Sequence, residues 1–120
     1  MITVTRIYAD PDGETHFEDE VMRLHPAGEI GHLSDPVPVH ELVFRQNDPD
    51  YDYDWHPAPA RQYIILLDGE IEIEVSDGEK RRFSGGDLLL VEDTKGKGHR
   101  TRHLKPMPRR SLFITLPAKG

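Results

Sequence analysis

The 120-residue sequence contains no cysteine. Disulfide cross-links, thiolate metal sites and cysteine nucleophiles are therefore all excluded. No run approaches the roughly 20 apolar residues of a membrane-spanning helix, so no membrane partner is expected. The opening stretch, MITVTRIYADPDGE, has neither the basic start nor the apolar run of a signal peptide. A soluble, cytoplasmic protein is the expectation from these absences. Helical patterning of any convincing length is missing as well, and no repeat or linker divides the chain, which predicts one domain over 1–120.

Turns and alternation fill the space that helices leave. Ten Gly and ten Pro make up about a sixth of the chain, above the usual share. In Glu70–Ser76, Ile71, Ile73 and Val75 alternate with Glu70, Glu72 and Glu74, the signature of a half-buried strand. An apolar run, Tyr63–Leu67, precedes it, joined by Asp68-Gly69, a dipeptide suited to a two-residue hairpin turn. Asp77-Gly78 leads on to Glu79–Phe83, and Gly85-Gly86-Asp87 to Leu88–Glu92. Turn signals at this spacing predict an all-β sandwich or barrel. Further strands are expected at Thr3–Tyr8, His16–Leu24, His40–Arg45, His99–Leu104 and Arg110–Leu116, with a loop from Leu24 to His40. The run Asp48–Trp55, acids alternating with Pro or aromatics, lacks the Gly and late Glu of a calcium loop. It reads as a solvated loop anchored by tucked aromatics.

The formal charge of −7 conceals a division. Met1–Asp93 carries 7 basic and 22 acidic residues, whereas Thr94–Gly120 carries 8 basic residues and no acid. A basic tail of this kind can be a nucleic-acid arm. Here it holds strand-like apolar pieces (Leu112, Phe113, Ile114), and Lys95, Lys97, Arg100 and Arg102 have no aromatics interleaved to stack bases. The expectation is no nucleic acid, with the basic strands lying beside acidic ones in one sheet.

Over Trp55–Gly69 and Gly86–His103 the sequence resembles the cupin family, whose two motifs carry metal-binding histidines and spaced glycines. The first motif reads His56-Pro57-Ala58, Gln62 and Gly69, with Asp50, Ala58 and Gln62 standing where the family has Gly, His and Glu. The second reads Gly86, Thr94-Lys95-Gly96, His99 and His103, with Thr94 for Pro and His103 for Asn. The resemblance implies a cupin-like antiparallel β-barrel (double-stranded β-helix, or jelly roll). It also implies a divalent metal (Fe, Mn, Ni, Cu or Zn) held by His56, Gln62, His99 and His103, since imidazole suits such ions. Likewise it implies a homodimer, for which the apolar strand Ile2–Tyr8 would serve as an exchanging or extending edge.

In an extended strand His99, Thr101 and His103 share a face, with Arg100 and Arg102 opposite. His56 and Gln62 would lie roughly 20 Å apart on a straight strand, so they meet only if the chain bends, as Pro57 and Pro59 favour. Arg45 and Arg61 are candidate clamps for a ligand carboxylate; Ala58 and Thr101 complete the candidate pocket. Three functions stand at this level. The leading one is binding of a small organic ligand inside the barrel. The others are a metal-dependent enzyme of dioxygenase or isomerase type using His56 and His99, and a ligand-sensing or protein-interaction module. His16, His25, His32 and His40 show no ligand spacing and read as surface or structural groups.

Overall fold

Period-2 alternation governs the architecture. The computed structural model describes residues 1–50 and 52–118; Tyr51, one of the aromatics of the acidic run, and the last two residues of the expected domain lie outside them. The first strands are β1 (Ile2–Ala9), β2 (Thr15–Met22), β3 (His25–Pro26), β4 (His32–Leu33), β5 (Glu41–Asn47) and β6 (Tyr53–His56). They are followed by β7 (Gln62–Leu66), β8 (Glu70–Val75), β9 (Lys80–Ser84), β10 (Leu88–Val91), β11 (His99–His103) and β12 (Arg109–Thr115). A single 3₁₀ turn, Gly28–Ile30, is the one helical element among the described residues. No helix there is long and apolar enough to cross a membrane.

Two main sheets form, in the orders β2-β1-β10-β7-β12-β5 and β6-β11-β8-β9, and β3-β4 makes a separate two-stranded one. From β5 to β12 the chain passes repeatedly between them, the winding of a jelly roll. Two expectations are corrected. The sheets are open and stacked rather than closed into a barrel, and β1 runs parallel to β10 through Thr5↔Leu89 and Ile7↔Val91. That pairing also removes Ile2–Tyr8 as a free edge, because β2 occupies its other side.

The turns sort by what they connect. Asp77-Gly78 makes the expected hairpin between β8 and β9. Asp68-Gly69 does not: β7 pairs with β10 and β12, β8 with β9 and β11, so this dipeptide carries the chain from one sheet to the other. Asp68 holds the corner by accepting bonds from the Arg110 backbone N–H and Nε, each at 2.7 Å. The segment expected as plain loop before His40 contains the β3–β4 ladder, and the acidic run ends in strand β6, whose Tyr53 and Trp55 are exposed rather than tucked.

Between the sheets, Ile7, Phe17, Leu66, Leu89 and Val91 meet Ile71, Ile73, Val75 and Phe83 in one apolar core. Burying such side chains contributes about 1.5–3 kcal/mol each. The outward alternates of β8 are glutamates, and here the basic C-terminal strands find partners. Arg100 lies 2.6 Å from Glu74 and Arg102 3.7 Å from Glu72, while in the loop before β11 Lys97 lies 2.7 Å from Glu14, just ahead of β2. The charge division along the sequence is thus dissolved by strand order.

One ionic clamp ties the β1–β2 turn to the β8–β9 turn. His16 sits between Asp10 and Asp77, with ring nitrogens 2.7 Å from each carboxylate. Asp10, then Asp77, hold its pKa above the usual imidazole value. His16 holds Asp10 below the carboxylate range, as the Glu79 backbone N–H and then His16 do for Asp77. The imidazolium contribution is complete below the ordinary imidazole pKa and is lost as pH rises through the raised folded value. The carboxylate contribution is present above the ordinary carboxylate pKa and is lost as pH falls through the depressed one. The clamp is therefore strongest between about pH 4 and 6.5. His16→Gln is expected to lose most stability relative to wild type near about pH 5.5, and progressively less as pH rises through the raised folded value of His16. Thermal unfolding across this range checks it, and a deficit independent of pH would contradict the charged clamp.

Candidate functional site

Toward one end of the sandwich the inward alternates change from apolar to polar, and the sheets enclose a pocket of about 270 Å³. Its floor is Ile64, Leu66, Ile71, Ile73, Leu89 and Val91. Its polar lining comes from both sheets: Tyr53, His56, His99 and Thr101 from the smaller, Arg45, Gln62, Arg109 and Ser111 from the larger.

The two histidines are neighbours by register, His99 pairing with His56 across β11 and β6. Their rings lie 4.7 Å apart at 55°, and Tyr53 packs on the other side of His56 at 3.7 Å. Each ring is fixed by its Nδ1. That of His56 donates to the Asp54 carbonyl at 2.6 Å, and that of His99 lies 2.5 Å from Asp93 Oδ2. Asp93 has no exposed surface, and His99 is 7% exposed. These bonds leave Nε2 as the nitrogen each ring offers to the cavity. Desolvation is the chief cause that pushes His56 below the usual imidazole pKa; the Asp54 carbonyl opposes it and His99 adds to it. His56 is accordingly neutral near pH 7.

The larger sheet supplies positive charge. Arg109 is 6% exposed and donates from Nη2 to Asn47 Oδ1 at 3.0 Å. Arg45 lies over the Phe113 ring at 5.1 Å. Among the described residues, no Asp or Glu lines the cavity.

Of the residues singled out in the sequence, His56, Gln62, His99, Arg45, Ala58 and Thr101 come together here. The bend between His56 and Gln62 is real: β6 and β7 belong to different sheets, and Pro57–Arg61 crosses between them. Two residues lie elsewhere. His103 is at the far end of β11, its Nε2 bonded to the Met107 carbonyl at 2.7 Å. Arg61 grips Glu92 at 2.7 Å and the Pro117 carbonyl at 3.2 Å, outside the cavity lining. Sequence reasoning missed Asp93, Tyr53 and Arg109. The first and last were legible by alternation, Asp93 continuing the inward series Leu89, Val91, and Arg109 opening the series Ser111, Phe113.

The divalent ion that the resemblance implies finds too few donors. Catalytic sites for such ions usually offer three strong protein ligands. Here His56 and His99 offer one nitrogen each, Gln62 a neutral amide and Ala58 nothing. Among the described residues no group of three or more His, Asp or Glu is placed to hold a metal. Two guanidinium groups lining the same cavity oppose a cation further. The donor set does not fit a resident metal.

No family model matches the chain. Oryzines biosynthesis cluster protein J of Aspergillus oryzae is 35% identical over 66 residues, 54% of this chain and 35% of that protein. Uncharacterized protein YdbB of Bacillus subtilis is 40% identical over 52 residues, 42% of this chain and 44% of that one. The chain spans less than half the length of these curated relatives. Among solved structures, protein NMB1881 from Neisseria meningitidis superposes with a TM-score of 0.50 at 21% identity, over 68% of this chain and 79% of that one. At such identity the likeness concerns the fold alone, which is a cupin-like jelly roll.

One glycine determines whether the histidines meet. Gly98 is buried at φ +77°, and a Cβ there would run into the His56 carbonyl and the Pro57 nitrogen. A side chain would therefore be strained in φ and would push β11 from β6. Gly98→Ala is expected to cost about 2 kcal/mol or more of stability, because both backbone strain and close backbone packing oppose it. Urea denaturation measures this, and a loss below about 0.5 kcal/mol, the range of neutral surface changes, would refute the close approach.

Proposed function

We propose that this protein binds a small organic anion in the pocket between its sheets. One observation carries the reading: a cavity with an apolar floor presents two guanidinium groups and two oriented imidazoles, and among the described residues no carboxylate lines it. The guanidinium fork matches a carboxylate and excludes cations. The apolar floor favours a short hydrocarbon body, and about 270 Å³, slightly below the usual range for drug-sized ligands, limits its length. The partial relative named for a biosynthesis cluster accords with small-molecule chemistry. Gln62 and Ser111, both buried, supply neutral hydrogen bonds that would set the ligand's orientation.

The test compares isosteres. Benzoate and short-chain carboxylates should raise the unfolding temperature saturably, whereas benzamide should not. Binding to the folded state at 100 times the dissociation constant adds about 2.7 kcal/mol. Arg45→Gln should weaken carboxylate binding about tenfold to a hundredfold by calorimetric titration, the range expected for a lost charge-assisted hydrogen bond. Equal binding of acid and amide would defeat the proposal, as would stabilisation by Zn²⁺ or Ni²⁺ that Arg45→Gln leaves unchanged.

A further inference from the structure

The imidazole pair has more structure than anion binding requires. A ligand carboxylate could be held by guanidinium groups alone, yet the protein places Asp93 wholly inside the fold behind His99. Burying a carboxylate is costly, and it persists only where a partner repays the lost hydration. The partner here is His99 Nδ1, and the bond fixes which ring nitrogen faces the cavity. His99 lines the same cavity as a floor of aliphatic side chains. The guanidinium groups of Arg45 and Arg109 line that cavity from the larger sheet. A base, a cleft with an apolar floor and fixed positive charge suit abstraction of a proton from carbon, since the electron pair left behind must be stabilised as it forms.

We propose that His99, oriented by Asp93, transfers a proton to and from the carbon next to the carbonyl of a small 2-oxo carboxylate held by Arg45 and Arg109. The inference rests on the anion-binding reading above. In the forward step the C–H bond breaks, its proton passes to His99 Nε2, and its electron pair forms the enolate, whose oxygen carries the negative charge toward the guanidinium groups. In the reverse step the same Nε2–H returns a proton to carbon. Atoms and electrons balance without an oxidant, a reductant or a metal. Asp93 touches no substrate; it is a positioning residue that holds the ring and balances the imidazolium while the proton is on it. Return of the proton to C3 exchanges the hydrogen there, whereas protonation of the enolate oxygen gives the enol.

The probes are pyruvate, 2-oxobutyrate and 3-methyl-2-oxobutanoate with the 120-residue chain in D₂O, each followed by proton NMR. Saturation-transfer signals report binding, and loss of the C3 proton signal reports exchange. At least one probe should bind and exchange about 10²-fold faster than in buffer, the lower end of general-base effects. His99→Gly should remove the acceleration, and added imidazole should restore part of it, which a merely structural histidine would not allow. Asp93→Asn should keep binding within about threefold while slowing exchange at least tenfold, consistent with the wrong ring nitrogen facing the cavity; circular dichroism verifies that the variant is folded. Binding without acceleration overturns the proton-transfer proposal and leaves anion binding standing. Absence of binding by all three probes overturns the proton-transfer proposal, and the anion-binding reading falls with it only if benzoate and short-chain carboxylates also fail to bind. Exchange undiminished in folded His99→Gly overturns the assignment of the base.

Discussion

The hydrogen bond between Asp93 and His99 is the constraint on which the site's organisation depends. It joins the end of β10, in the six-stranded sheet, to the start of β11, in the four-stranded one. A carboxylate with no exposed surface cannot be left unpaired, so the chain between these residues must return tightly enough to bring the imidazole back. The return in turn sets the β11–β6 register that faces His99 with His56. The Ala58 backbone N–H donates to the Asp93 carbonyl at 2.9 Å, which anchors the crossing segment between β6 and β7 to the same point. Two crossings between the sheets therefore meet at one residue. Pocket geometry and sheet stacking are set together.

Strand positions were legible because alternation is a local signal. The glutamates of β8 and the isoleucines between them specify faces without reference to the rest of the chain. What was not legible is which strand lies beside which. Asp68-Gly69 has hairpin chemistry but serves a change of sheet, because its flanking strands find better partners in β12 and β11. Ile2–Tyr8 has the composition of an exposed edge, yet β10 needed a parallel neighbour and took it. Tyr53–His56 was hidden inside an acidic run whose local composition favours loop, and pairing with β11 overrides that preference.

The site shows the same division. His56, Gln62 and His99 carried a family-like spacing, and the fold brings them to one cavity. His103 satisfies the alternation argument but lies a strand's length away, where a neighbouring carbonyl takes its ring. Arg61 has the right chemistry on the wrong face and joins Arg6 around Glu92. Arg109 and Asp93 were concealed for a simpler reason: a charged residue at a strand end reads as solvated unless its inward parity is counted. Parity could have located both. The partnership of Asp93 with His99 crosses two sheets, and no local pattern encodes it.

The pocket floor has a consequence for how this fold can change. Ile71, Ile73, Leu66, Leu89 and Val91 line the cavity and also form the contact that keeps the sheets together. Room for a larger guest can be made only by trimming residues whose loss costs about 2–5 kcal/mol apiece, a large share of the stability of a domain this size. The polar lining carries no such burden: Arg45 and the exposed Tyr53 line the cavity but lie outside the apolar core. Selection acting on this scaffold thus has a cheap direction and an expensive one. Head-group preference can drift through the polar lining, while the length of the hydrocarbon body is locked to the cohesion of the sandwich.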